Sequence, residues 1–342
     1  HHHGSGHCRQ ADKLAALLPV NLRKHFIVFT SLAADTYPFT TVAEEQIVRL
    51  TPEDEREDNV LLGRAGEYWQ PESLHYSPVG NSDIQTRSWQ IISGIKEYKI
   101  DLMIVDVSVE VAMLCRVASV PYLYVRLAGI RDDTPHFNAF AGALALLAPY
   151  PKALEAHKTK DWLKQKTLYL DFLAGENSKP IHYYDFLALL KNLLADNDAN
   201  LSLNGKIDLA SNTEQKQKII TVIKGYGGHE AIDDKLPELR ILQPDALIIS
   251  LGPIAKDKRS YVDIAMQVPD VSPFIAHSDL LIMACGLNGI AQAYHHDTPL
   301  VVLPDQRPHR EQEVMAEALI AQGRAMSWQH FVKESKNSQS LE

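Results

Sequence analysis

The chain has 342 residues, of which 45% are hydrophobic and 23% charged, and its formal net charge is −9 at pH 7. This is the composition of an ordinary globular protein, and the length allows two domains that each have their own core. The negative charge argues against general affinity for nucleic acid, because no basic surplus is present to neutralise a polyphosphate backbone. Acidic substrates must therefore be held by local groups.

Cysteine usage and hydropathy indicate the compartment. Cys8, Cys115 and Cys285 lie far apart and form neither a zinc-binding spacing nor a disulfide framework, which favours a reducing environment. No apolar run reaches transmembrane length, and no signal peptide is recognisable. We therefore expect a cytoplasmic protein and leave peripheral membrane attachment open. The last two residues resemble a cloning scar, so 331–342 is expected to be a tail, and whether residues precede His1 stays open.

The first half alternates strands and helices. Apolar residues at i, i+3, i+4 and i+7 predict an amphipathic helix at the start of the chain. The predicted elements are helices over 8–18, 82–98 and 109–117 and strands over 26–29, 102–105 and 122–125. The apolar, Ala-rich run Phe137 to Leu147 is interpreted as core, with a lipid-binding surface patch as the less favoured alternative.

The second half repeats the alternation. It contains predicted strands over 219–223, 246–250, 280–283 and 300–303 and a predicted helix over 310–322. A polar, irregular stretch separates the halves. The predicted divisions are an N-terminal domain over 1–155, a junction over 156–217, a C-terminal domain over 218–330 and the tail. Strands separated by helices of this length indicate a parallel, doubly wound α/β fold in each half.

Two glycine-containing turns follow predicted strands in the second half. One is Gly225 to His229, and the other runs from Ala284 to Gly289 and leads into a short helix and a further strand. A strand, glycine turn, helix and strand form half of a nucleotide-binding unit. Because such turns present backbone N–H groups and a positive helix end, a phosphate-bearing ligand is expected there.

The order of these motifs resembles the GT-B glycosyltransferases. It is similar above all to the family 28 branch, which contains the lipid-linked peptidoglycan GlcNAc-transferase. The similarity covers both halves, is strongest over 218–325 and the first 18 residues, and is weak over 35–80 and 150–217. The matching motifs are Gly4-Ser5-Gly6-His7, Gly225-x-Gly227-Gly228, and Gly289-x-x-Gln292 followed by Pro299, Pro304 and Gln312.

The resemblance implies a two-domain enzyme of GT-B architecture, with Rossmann-like domains facing across a cleft. The C-terminal half would bind a nucleotide diphosphate sugar, UDP-linked by preference, and the N-terminal half an acceptor. The acceptor would be a small molecule, a glycan or a lipid. Loops over 31–80 and 126–142 would determine which acceptor is bound. Transfer to the acceptor hydroxyl would proceed with inversion and without a metal or other cofactor.

The resemblance also implies roles for individual residues. His7 would be the catalytic base, and a neutral ring is expected since a helix N-terminus disfavours imidazolium. Asp106, after a strand, would orient that base. The alternatives are that His7 only caps the helix or belongs to a linker and that Asp106 only caps a turn. The implied acceptor-side residues are Gly4, Ser5, Gly6, Arg9 and Glu110, the last of which is expected to be largely solvated.

On the donor side, the resemblance places a phosphate cradle at the first glycine turn and a second phosphate contact at the second. His229 would donate to a phosphate oxygen or simply be a polar residue at a helix start. Gln292 stands where the family commonly has a glutamate that binds the donor ribose, and an amide binds a diol more weakly than a carboxylate. The implied donor-side residues are Gly225, Gly227, Gly228, His229, Gly286, Asn288, Gly289, Gln292, Asp305 and Gln312.

Two patterns that could bind metals are interpreted without a metal. Asp196-x-Asp198 lies in a polar linker and is expected to be solvated. His295-His296 ends a helix without a third ligand, so no metal site is predicted. Two other functions stay open: a nucleotide-sugar hydrolase or epimerase on the same fold, and a non-catalytic nucleotide-sugar-binding protein.

Overall fold

The computed structural model describes residues 5–52, 71–173, 181–196, 218–225 and 230–339. Contacts between residues divide the chain into two compact units. Unit 1 comprises residues 1–127, 131–152 and 158–175, and unit 2 comprises 128–130, 153–157 and 176–342.

Unit 1 alternates helices and strands along the chain. Its helices begin at side-chain caps where the sequence provides them: Asn81, Ser108 and Asp133 each accept a hydrogen bond from the backbone N–H three residues on. In chain order the elements are α1 (Gly6–Leu17), α2 (Val20–Arg23), β1 (Val28–Thr30), β2 (Ile47–Arg49), α3 (Ser82–Glu97), β3 (Met103–Asp106), α4 (Val109–Val117), β4 (Tyr122–Val125), α5 (Thr134–Gly142), β5 (Leu146–Ala148), α6 (Asp161–Lys166) and β6 (Thr167–Tyr169).

Two parallel sheets form in unit 1. The strands β1 and β2 pair with each other, and β3, β4, β5 and β6 form a four-stranded sheet in that order. The core of the larger sheet contains fully buried Tyr122, Tyr124 and Phe140. Phe140 and Leu146 are fully buried, so the core interpretation of Phe137 to Leu147 is confirmed for these residues.

An apolar cavity of about 520 Å³ lies within unit 1 and is lined by both β1 and β3. No ladder joins these two strands in the part of the chain that the structure describes. The doubly wound sheet expected for this half is therefore split at this point, and the two strands remain sheet edges. Unpaired edges carry backbone groups that a further strand would pair.

Unit 2 begins with a helix that lies in the predicted junction. In chain order its elements are α7 (Tyr183–Asp196), β7 (Ile219–Ile223), α8 (Glu230–Asp233), α9 (Leu236–Leu242), β8 (Leu247–Leu251), β9 (Ile264–Met266), α10 (Ser272–His277), β10 (Leu280–Met283), α11 (Leu287–Ala293), β11 (Leu300–Val302), α12 (Glu311–Ala321), β12 (Met326–Ser327) and α13 (Trp328–Gln339). Phe186 and Leu190 of α7 are fully buried against the sheet.

The six strands that the structure describes in unit 2 are parallel, in the spatial order β12-β11-β10-β7-β8-β9. From β7 the chain adds β8 and β9 on one side, and it then returns to add β10, β11 and β12 on the other side of β7. This is the doubly wound strand order of a dinucleotide-binding fold. Successive residues of β7 alternate between two cores, with Ile219 facing α7 and Ile220 facing α13. Helices on both faces explain why the strands are continuous apolar runs.

The predicted strands and helices are found with shifts of one or two residues at their ends. Two of the larger differences are in the first helix, which was predicted over 8–18 and lies at Gly6–Leu17, and in the first strand, which was predicted over 26–29 and lies at Val28–Thr30. Among the described residues, no helix combines the length and the apolar character that crossing a bilayer requires.

Candidate active site

The predicted base and its orienting carboxylate are in direct contact in unit 1. His7 is the second residue of α1, and Asp106 is the last residue of β3. The His7 Nδ1 and Asp106 Oδ2 atoms lie 2.6 Å apart, although 99 residues separate the two in the sequence. The side chains are 24% and 29% exposed, so both are partly buried and still accessible to solvent.

A strained turn holds Asp106 in place. Val107 has φ of +56°, a left-handed conformation that is unusual for a β-branched residue. The Ser108 N–H donates to the Asp106 carbonyl at 2.9 Å, and the Tyr124 hydroxyl donates to the Val107 carbonyl at 2.5 Å. Strain of this kind persists only where the surroundings impose it, and it concentrates at functional sites.

The capping alternatives for His7 and Asp106 do not describe these residues. Ser5 occupies the N-cap position of α1, and Ser108 caps α4 by accepting from the Val111 N–H. The second carboxylate oxygen of Asp106 is buried without a hydrogen-bond partner among the described residues. The contact between His7 and Asp106 therefore joins α1 to β3 and does not cap the end of a helix.

The remaining acceptor-side residues are distributed around the start of α1 and α4. Ser5 and Gly6 lie at the first turn of α1, whereas Gly4 lies outside the described residues, and Arg9 is exposed. Glu110 is not simply solvated: its Oε1 accepts from the backbone N–H groups of His75 and Tyr76 at 2.8 and 2.9 Å. Glu110 thus fastens the 71–80 loop to the first turn of α4.

In unit 2 the two glycine turns follow adjacent strands. β7 and β10 pair in register up to Ile223 and Met283, so the segments that follow them emerge side by side. This is the switch point of the sheet, where the chain reverses its winding direction and where ligands of open α/β folds bind. Gly225 is among the described residues, while Gly227, Gly228 and His229 lie outside them.

Gly286 occupies the N-cap position of α11, with φ of −67° and ψ of 137°. Apart from its chain neighbours, a Cβ atom built on Gly286 or on Gly225 would meet none of the described residues within 4 Å, so these residues leave space open beside both glycines. Asn288 and Gly289 lie in the first turn of α11. The Gly289 N–H donates to the Gly286 carbonyl at 3.0 Å, and the partial positive charge at the start of the helix favours anions.

The other donor-side candidates have specific contacts. The exposed Gln292 side chain donates to the Asn288 carbonyl of its own helix at 3.1 Å. Gln312 is buried, and its side-chain oxygen accepts from the Asp305 N–H at 2.9 Å, which fixes the loop after β11. In this structure both glutamine side chains therefore bond to the protein's own backbone.

Asp305 lies close to the second glycine turn. β10 and β11 pair in register up to Met283 and Val302, and burial followed by the charge of Asp305 raises the pKa of Cys285 to about 12. His309 and Arg310 both have positive φ, at 58° and 54°, so the loop before α12 is strained as well. The strained loop and the glycine turn share the carboxyl edge of the sheet.

Sequence analysis missed a buried ion pair beneath the first glycine turn. Lys224, directly before Gly225, has its Nζ 2.6 Å from Asp233 Oδ1, and the side chains are 0% and 3% exposed. The neighbouring Gly252 has φ of +105°, and a Cβ there would lie 2.6 Å from the Lys224 carbonyl oxygen. The sequence signal for this ion pair was a lysine directly after a buried strand, followed by an acidic residue on the next helix.

Comparison with known proteins finds similarity in structure only. No protein-family model matches the chain, and no curated protein matches it. Among solved structures, the chain is similar to Acinetobacter baumannii MurG at 13% identity and a TM-score of 0.47, covering 74% of this chain and 66% of that one. It is also similar to the spinosyn rhamnosyltransferase SpnG at 14% identity and a TM-score of 0.48, covering 75% and 68% of the two chains.

A third similar structure is the glycosyltransferase SsfS6 of Streptomyces sp. SF2575 in complex with thymidine diphosphate. It shares 14% identity at a TM-score of 0.44, with 73% of this chain and 64% of that chain covered. The chain thus spans about two thirds of the length of these glycosyltransferases.

Proposed function

We propose that this protein is a glycosyltransferase. It moves a sugar from a nucleotide diphosphate donor, UDP-linked by preference, to an acceptor hydroxyl with inversion of configuration. The observation that carries the proposal is the switch point of the unit 2 sheet, where β7 and β10 end side by side directly before Gly225 and before the Gly286 end of α11. A small molecule, glycan or lipid is the acceptor, and the reaction has no metal requirement.

His7 is the base in this mechanism. When its Nδ1–H donates to Asp106, the lone pair that accepts the hydroxyl proton is on Nε2. Asp106 then stabilises the imidazolium that forms and keeps the ring in one orientation, as a carboxylate does in other base–carboxylate pairs. Removing the proton as the hydroxyl attacks the anomeric carbon makes the oxygen a stronger nucleophile.

The leaving diphosphate is stabilised by backbone groups of unit 2. Its charge increases as the glycosidic bond breaks, so donors that are already oriented lower the barrier. The backbone N–H groups at the Gly286 end of α11 provide such donors. Open space beside Gly225 and Gly286 supports close approach of an anion to the backbone.

The first test is thermal stabilisation by UDP, TDP, GDP, CMP and their sugar conjugates. A ligand at about 100 times its dissociation constant adds roughly 2.7 kcal/mol of stability, which gives a clear rise in Tm. We expect one nucleoside diphosphate, UDP, to stabilise the protein selectively. A flat response to the whole panel would refute the donor site.

A matched variant makes this test specific. In Gly286→Ala the added methyl group meets none of the described residues beyond its chain neighbours, and φ of −67° suits alanine, so Tm without ligand should not fall. The methyl group would occupy the space of the diphosphate, so the shift caused by UDP should disappear. Persistence of the full shift in Gly286→Ala would place the nucleotide elsewhere.

Turnover separates the enzymatic alternatives. Fast release of free sugar from the donor without an acceptor would favour a hydrolase. Tight donor binding without turnover across a panel of acceptors would favour a non-catalytic binding protein. Loss of transfer in His7→Ala with an unchanged nucleotide shift is the result expected for the proposed base.

A further inference from the structure

Three potential metal ligands come together in unit 1, outside the residues proposed for sugar transfer. His75 Nε2 lies 3.1 Å from Asp133 Oδ1, and His136 Nδ1 lies 2.9 and 2.8 Å from the two Asp133 oxygens. The three ligand atoms lie within 4.8 Å of one another. The ring centroids of the two histidines are 4.5 Å apart.

Separate elements hold these side chains in place. His75 lies on the 71–80 loop, whose backbone Glu110 fastens to α4, while Asp133 is the N-cap of α5 and His136 lies in the first turn of that helix. His136 is 3% exposed, and its ring packs on Phe140 at 5.6 Å, so it has little freedom to turn away. The cluster therefore combines the buried His136, which is fixed in position, with the more exposed His75 and Asp133.

The donor set determines which ion fits. Two imidazoles and one carboxylate, with one negative charge when both rings are neutral, suit Zn²⁺, whereas Mg²⁺ and Ca²⁺ prefer oxygen ligands only. Zinc bonds of about 2.0–2.1 Å place neighbouring ligand atoms about 3.3 Å apart in a tetrahedron. The nitrogen–oxygen distances in the cluster are a few tenths of an ångström shorter, so small side-chain adjustments admit the ion.

We propose that His75, Asp133 and His136 form a Zn²⁺ site. Water completes the coordination, and the ion fastens the 71–80 loop to the start of α5. The loop is already attached to α4 through Glu110, four residues beyond Asp106, so the ion braces the same region that holds the proposed base pair. The role is structural and does not place the metal in the sugar-transfer step.

Hydrogen bonding alone would account for the same distances, since both rings can donate to Asp133. In that case one proton occupies the position that the metal would take on each ring. Metal binding by the folded protein therefore distinguishes the two arrangements directly.

The experiment measures Co²⁺ and Zn²⁺ binding to the full chain after treatment with a chelator. Because His1, His2 and His3 would bind metal themselves, every protein carries His1→Ala, His2→Ala and His3→Ala. Co²⁺ gives visible absorption bands that report tetrahedral nitrogen and oxygen ligands, and Zn²⁺ competition gives the affinity. Asp133→Asn is the main variant because asparagine remains a good N-cap and should keep α5 intact. Circular dichroism and Tm check that the fold is retained.

We expect one Co²⁺ per chain in the parent protein, displaced by one Zn²⁺. Asp133→Asn and His75→Ala should each weaken binding by at least about 100-fold, beyond what loss of an outer hydrogen-bond partner causes. His295→Ala, which changes an exposed histidine in unit 2, serves as the control and should leave affinity unchanged. No stoichiometric ion in the parent, or a loss of less than about 100-fold in either ligand variant, would overturn the proposal.

Discussion

The buried ion pair between Lys224 and Asp233 provides a test of unit 2 that needs no substrate. The lysine lies between the end of β7 and the first glycine turn, and its partner carboxylate also accepts from the Ala255 N–H at 2.9 Å. Burial lowers the pKa of Lys224, and the hydrogen bond to Asp233 acts in the opposite direction. The pair thus links the turn after β7 to α8 and to the segment after β8.

Lys224→Met keeps the length of the side chain and removes only the charged end. With exposures of 0% and 3%, the Asp233 carboxylate would remain buried without its counter-charge. Breaking a buried pair in this way costs about 3–5 kcal/mol. The double variant Lys224→Met with Asp233→Asn removes both charges and keeps an oxygen for the Ala255 N–H. It should therefore recover roughly 2 kcal/mol of the loss.

Urea unfolding followed by Trp328 fluorescence measures these differences in unit 2. Trp328 is 5% exposed and belongs to the same core as Ile220 and Val222 of β7. The other tryptophans, Trp69, Trp89 and Trp162, are replaced by phenylalanine in every protein so that a single residue reports. With a denaturant dependence of about 2 kcal/mol per molar urea, a loss of about 4 kcal/mol lowers the midpoint by about 2 M.

Two results would refute this reasoning. A Lys224→Met midpoint within about 0.5 M of the parent would mean that the carboxylate is not buried and paired as described. A double variant that is less stable than Lys224→Met would mean that the lost charge pairing is not the cause of the destabilisation.

Four further predictions follow from other parts of the structure. Asp106→Asn should lower transfer by about 10²–10⁴-fold without changing the thermal shift caused by UDP, and unchanged turnover would remove Asp106 from the mechanism. Gln292→Glu should tighten UDP binding about tenfold, measured by calorimetry, because a carboxylate binds the ribose diol more strongly than an amide; no gain would show that this position does not meet the ribose. Burial raises the pKa of Cys115 to about 11 and that of Cys285 to about 12, so iodoacetamide at pH 8 should leave both thiols unmodified in the folded protein, as peptide mass spectrometry would show. Burial raises the pKa of Asp12, but hydrogen bonds from two threonines and a tyrosine outweigh this and lower the pKa below 3.8. The folding stability that ionised Asp12 contributes is therefore present above pH 3.8 and is lost as the pH falls through the lower pKa of the folded state. Asp12→Asn should cost about 2 kcal/mol at pH 7 and flatten the acid side of the stability profile, and an unchanged profile would contradict the assignment.

Local patterns in the sequence predicted the elements of this fold. Strands buried on both faces are unbroken apolar runs, so β7 and β10 were predicted at their observed bounds, and α4 was predicted from its spacing of apolar residues. The positions of Asp106 at the end of a strand and of Gly286 in the turn before a helix followed from the same patterns. These features depend on neighbours within a few residues, which the sequence displays directly.

Contacts between distant parts of the chain were decided only by the tertiary structure. His7 and Asp106 meet across 99 residues, and His75 and Asp133 meet across 58. The split between β1 and β3, and the return of the chain from β9 to β10 beside β7, are likewise properties of strand pairing. A sequence periodicity describes which face of an element is apolar, but not which element covers it or in what order the strands assemble. The side chains that form a site depend on that order, because parallel strands bring together residues that the sequence keeps far apart.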